Sequence, residues 1–94
     1  MIINSIHITF SAKDAAVAES LLRELRDQSR REAGVIQYDV GRSIEKPNAF
    51  ALWEVYRSPE DLAAHRASEH FQRLYVTSIR PLVQDQSIER VMPV

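Results

Sequence analysis

Phe50-Ala-Leu-Trp-Glu-Val-Tyr56, followed at once by Arg57-Ser-Pro-Glu-Asp61, is the stretch whose reading decides the fold. Alternation places Phe50, Leu52, Glu54 and Tyr56 on one face of a strand and Ala49, Ala51, Trp53 and Val55 on the other. Glu54 is a carboxylate in a row of aromatic and aliphatic side chains. Ser58 then supplies an N-cap, Pro59 suits the first helical position, and Glu60 and Asp61 complement the helix dipole. The helix that starts there is expected to break at Ala67-Ser68. A second start at Ser68 carries Phe71, Leu74, Tyr75, Ser78 and Ile79 on one face until Pro81 stops it.

Outward from this centre, Ile2, Asn4, Ile6, Ile8 and Phe10 alternate against Ile3, Ser5, His7 and Thr9, giving an N-terminal strand with Asn4 pointing into its apolar face. Ser11 with Asp14 three residues on reads as an N-cap and its partner. Val17, Leu21, Leu22, Leu25 and Ser29 then keep helical spacing to about Ala33, with Gly34 expected as a left-handed C-cap. Val35 to Arg42 is a strand with Ile36, Tyr38 and Val40 on one side. Glu45-Lys-Pro-Asn48 turns it into the central strand, and Gln86 to Met92 is a fourth. The order βαββαβ is that of an α+β, ferredoxin-like fold: a four-stranded antiparallel sheet with both helices on one face. Because the central strand is apolar on both sides, the opposite face is expected to be covered by a second copy of the sheet, making a homodimer.

The 94 residues are read as a single domain over 1–94, small enough for association to help stability. A net charge of -1, from 12 basic and 13 acidic residues, argues against a nucleic-acid partner. The chain has no cysteine, hence no disulfide, thiolate metal site or cysteine nucleophile. The expected location is the cytoplasm, with no membrane partner, since neither a signal-peptide pattern nor a membrane-length apolar run occurs.

The chemistry-bearing residues gather around the central strand. Glu54 reads as a base, as a charge partner for a histidine, as an acid whose pKa burial raises, or as a structural carboxylate. His65, on the helix after the strand, is the candidate general base, with a structural histidine as the alternative. His65 and His70 diverge on a continuous helix and meet only if the break turns the chain; HxxxxH is no recognised zinc spacing, so no metal is expected. His7 falls on the surface or interface face. Tyr38, Tyr56, Phe71 and Tyr75, with Asn4, are expected to line a small-molecule pocket on the helix side. No motif for an organic cofactor is present.

The pattern Phe50-x-Leu-x-Glu54-x-Tyr56, His65, Ser68-x-His70-Phe71, with Gly34-x-x-x-Tyr38 upstream, resembles the antibiotic biosynthesis monooxygenase (ABM) family. The resemblance implies a ferredoxin-like subunit dimerising sheet to sheet as a dimeric α/β barrel. It implies cofactor-independent oxygenation of quinols or polyketide phenols by O2, haem degradation, or processing of a phosphorylated signalling molecule. Haem degraders use an asparagine, a tryptophan and a histidine; Asn4 matches the first, while Tyr56 and Tyr75 stand where the others would. Glu54-Val-Tyr56 with His65 and His70 is similar to quinol monooxygenases and to the enzyme processing phosphorylated autoinducer-2. The resulting expectation is a cofactor-independent monooxygenase of small phenolic, quinol or enolic substrates. Its catalytic residues would be His65, Glu54 and Asn4, and its substrate contacts Tyr38, Tyr56, His70, Phe71 and Tyr75. Isomerase-like or lyase-like processing of a phosphorylated diketone, and a non-enzymatic binding dimer, are the alternatives.

Overall fold

The chain is described over residues 1–94 in a computed structural model. Its elements are β1 (Ile2–Phe10), α1 (Ala15–Ser29), β2 (Val35–Arg42), β3 (Ala49–Tyr56), α2 (Pro59–Ala67), α3 (Phe71–Ile79) and β4 (Val83–Val91). The strands form one antiparallel sheet in the order β2-β3-β1-β4, the ferredoxin-like arrangement. No helix is long and apolar enough to cross a membrane.

Register aligns the side chains in rows. Tyr38 lies across from Glu54, Glu54 from Asn4, and Asn4 from Arg90, so a polar row crosses all four strands on the helix-covered face. Beside it runs an apolar row, Val40, Leu52, Ile6 and Ile88. The core is built on Ile6, Ile8, Phe10 and Phe50 beneath Ala18, Leu22, Leu25, Leu74 and Ile79, with Phe10 and Phe50 in edge contact at 5.6 Å.

The helix boundaries follow local chemistry. Ser58 accepts the Asp61 N–H at 3.1 Å and so caps α2, an interaction typically worth about 1 kcal/mol. Ser68 adopts an extended backbone, donates its N–H and hydroxyl to the His65 carbonyl, and accepts the Phe71 N–H, ending one helix and starting the next. Helix α3 is wound as a π-helix: the Arg80 N–H reaches back to the Tyr75 carbonyl, and a short 3₁₀ turn (Arg80–Leu82) leads into β4.

Several local expectations are corrected. Helix α1 begins at Ala15 with Asp14 at its cap position and no side-chain cap; Ser11 contributes its carbonyl, not its hydroxyl. The buried stripe is Ala15, Ala18, Leu22, Leu25 and Ser29, and Val17, one residue off it, is exposed. No glycine has a positive φ, so Gly34 is not a left-handed cap; α1 has already ended at Ser29. Gly34 is required for space instead, because a Cβ there would collide with the Asp61 side chain. The β2–β3 register shifts between Val35 and Gln37, a bulge that turns Ile36 out to solvent while Tyr38 goes in. Strand β4 starts at Val83, opposite Phe10, earlier than the expected Gln86.

On the helix-free face Val55 is buried, but Trp53 is 41% exposed and Ala51 and His7 are open to solvent.

Gly34→Ala should destabilise the fold by about 1 to 3 kcal/mol, the usual cost of overpacking, because Asp61 is held in place by Arg57 and Ser58 and cannot simply turn away. Urea denaturation checks this; an unchanged midpoint would show that α2 yields freely.

Candidate active site

The polar row forms one wall of a cavity of about 250 Å³ between the sheet and α2 and α3. Asn4, Tyr38, Glu54, His65, Phe71 and Tyr75 all line it, so six of the eight residues singled out in the sequence meet there. Tyr56 and His70 do not reach the wall. Tyr56 is fully buried behind it and donates its hydroxyl to Glu54 Oε1 at 2.7 Å, which makes it a support for Glu54. A larger, more open depression of about 600 Å³ lies elsewhere, around His7, Arg42 and Lys46, and contains none of the buried titratable groups.

Glu54 and His65 were expected to pair, with Glu54 orienting the imidazole. The structure assigns that contact to Glu32. Its Oε2 lies 2.8 Å from His65 Nδ1 and 2.7 Å from His70 Nε2. The break at Ser68 does turn the chain, and the two rings come within 6.1 Å of one another between centroids. Glu32 belongs to the turn between α1 and β2, which the absent Gly34 side chain lets sit against α2. No local pattern links it to His65, 33 positions later; the available signal was the need of a buried imidazole for an acceptor.

With the Glu32 carboxyl as acceptor, the ring proton is assigned to His65 Nδ1, and Nε2 is then the ring's acceptor. The ligating atoms of Glu32, His65 and His70 lie within 4.8 Å of one another, a set that could also hold a metal ion. Without an ion the same three side chains form a hydrogen-bonded trio, with one Glu32 oxygen facing a ring nitrogen of each histidine.

Burial raises the pKa of Glu54, and this outweighs the Tyr56 hydroxyl and the nearby His65, Tyr38 and Asn4, each of which favours the charged form. Burial likewise pushes Tyr38 and Tyr56 up, with the Glu54 charge adding to it, so both phenols stay protonated and act as donors. Asn4 accepts from Arg90 Nε at 2.9 Å, and Tyr75 donates to Gln86 Oε1 at 2.6 Å. The cavity thus combines the His65 ring, the neutral Tyr38 hydroxyl and an aromatic wall, in which Phe71 and Tyr75 stack at 5.2 Å.

The raised pKa of Glu54 has a definite sign in stability. Above the ordinary value of 4.5 the unfolded carboxyl loses its proton first, so the folded state holds more protons and stability falls as pH rises towards the shifted value. Glu54→Gln should therefore gain stability relative to wild type over the range in which pH rises from about 4 towards the shifted value. Denaturant melts of both proteins across that range check this; a constant difference would mean that Glu54 titrates normally.

A sequence search among curated proteins gives no match. Solved structures do match over almost the whole chain. A Pseudomonas aeruginosa protein is 29% identical, with 99% of this chain and 93% of that one aligned at a TM-score of 0.92. A structure described as an antibiotic biosynthesis monooxygenase is 26% identical, covering 100% and 99% of the two chains at a TM-score of 0.92. A conserved Bacteroides thetaiotaomicron protein is 28% identical, covering 96% and 94% at a TM-score of 0.88. The family model for antibiotic biosynthesis monooxygenase matches residues 1–75, which include β1, the Glu32 turn, β3, His65 and His70, and the chain belongs to that family.

Proposed function

We propose that this chain is a cofactor-independent monooxygenase that binds a small phenolic, quinol or enolic substrate in the cavity beside His65 and oxidises it with O2. The observation that carries the reading is His65 in the cavity wall with Nδ1 engaged by Glu32, which leaves Nε2 to take a substrate proton. Ionisation is the step that such chemistry asks of the protein. The substrate anion passes an electron to O2, the two radicals join as a carbon-bound peroxide, and O–O cleavage leaves one oxygen on carbon and the other in water. The substrate supplies all four electrons. Tyr38 and Asn4 supply polar contacts to the developing anion, and the aromatic wall excludes water. The family match and the structures similar to this chain support an oxygenase over a bare scaffold.

We further propose a cytoplasmic homodimer joined through the helix-free face, where Trp53 offers a large apolar surface beside Ala51 and Val55.

His65→Gln should lower turnover per folded molecule by ~10²- to 10⁴-fold, the usual worth of a general base. Glu32→Gln, which keeps an acceptor but not its charge, should cost less and change the pH profile of kcat. An oxygen electrode with a panel of hydroquinones supplies the assay. Substrate consumption without O2 uptake would replace the oxygenase by an isomerase-like reaction using the same base; full activity of His65→Gln would remove His65 from both. For the assembly, Trp53→Asp should give a monomer, since it places a charge where apolar surface is covered. Light scattering that finds wild type monomeric at micromolar concentration would refute the dimer.

A further inference from the structure

The arginines of this chain are not paired evenly. Lys13, Arg23, Arg26, Arg30, Arg42, Arg57 and Arg73 each have a carboxylate within ion-pair distance. Arg31, Lys46, Arg66, Arg80 and Arg90 have none, and of these Arg66, Arg80 and Arg90 all line the His65 cavity. They come from three separate elements: α2, the turn before β4, and β4 itself. Scattered surface charges in a chain with 13 carboxylates would be expected to find partners, as seven of the nine basic residues outside the cavity have done.

Two of the three are positioned by neutral groups. Arg90 spends its Nε on Asn4 Oδ1, at the end of the polar row, and keeps its terminal nitrogens free for another acceptor. Arg80 lies over the Tyr75 ring, 5.3 Å from its centroid, and Tyr75 stacks in turn on Phe71. Arg66 follows His65 directly on α2, with no side-chain hydrogen bond of its own. The one carboxyl on the cavity wall, Glu54, is buried and already accepts from Tyr56. The cavity therefore presents three guanidinium groups to an incoming molecule against a single carboxyl, Glu54, which is already engaged by Tyr56, an arrangement that favours an anion and binds it through charge-assisted, bidentate contacts.

We propose that the substrate of this site is itself an acid: its carboxylate or phosphate docks on Arg66, Arg80 and Arg90 while its phenol or enol end lies at His65. This rests on the proposed use of the cavity but not on the chemistry performed there. Neutral quinols would then be poor ligands, and ionic strength would weaken binding of the true one.

Calorimetric titration of the intact chain with matched probes tests this. Gentisate should bind at least about tenfold tighter than its neutral 2,5-dihydroxybenzamide, or phenyl phosphate tighter than phenol by that factor; the larger gain tells carboxylate from phosphate. Added salt should erase most of it. The double variant Arg66→Gln, Arg80→Gln should lose the preference for the anion while keeping its melting temperature, and the corresponding Lys pair should recover part of it. Equal affinity for acid and amide and for phosphate and phenol, no binding of any probe, or equal loss of acid and amide binding in the double variant would overturn the proposal. These are binding readouts, so absence of O2 uptake would sink the oxygenase and leave the anion site standing, whereas loss of anion preference with O2 uptake intact would do the reverse.

Discussion

A carboxyl group buried in a sheet must be met by polar neighbours, and Glu54 imposes that requirement on the strands around it. It lies in the centre of a row that runs from Tyr38 through Glu54 and Asn4 to Arg90, one residue from each strand. Tyr56, two residues on in the same strand, reaches back to the same carboxyl. A one-residue slip of any strand would turn its member of the row to the opposite face, so register and polar satisfaction are the same constraint. The apolar row beside it holds the helices; the polar row keeps them from closing completely.

The second constraint is the turn after α1. Glu32 can reach His65 and His70 only because the chain at Gly34 passes against Asp61 without a side chain between them. Ser68 does the complementary work, ending α2 on the His65 carbonyl and starting α3 so that His70 returns to its neighbour. Both contacts are short-range steric or hydrogen-bonding events that set a long-range geometry.

These two constraints differ in how far a sequence displays them. The row was legible: alternation in β1 and β3 sends Asn4 and Glu54 inward, and strand order brings them side by side. The break at Ser68 and the cap at Ser58 were legible too, because each depends on residues only a few positions apart. Glu32 was not, because a carboxylate in a polar turn looks like any other surface charge until tertiary packing places an imidazole against it. The bulge at Ile36 and the steric need for Gly34 escaped for the same reason: a bulge is fixed by the partner strand, and close approach by the partner helix. Arg90 lay hidden in a mostly polar β4, where alternation carries little contrast.

The π-winding of α3 bears on how such a cavity could be resized. A π-turn behaves as an α-helix carrying one extra residue, so the bearing of Phe71 and Tyr75 on the wall depends on helix length as well as on residue type. Removing one position between Phe71 and Ile79 would rewind the segment and rotate the aromatic wall relative to Glu54 and His65, leaving the sheet untouched. The chain can therefore explore new ligand shapes by single-residue insertion or deletion in α3, a step that the strands, locked by register, do not permit.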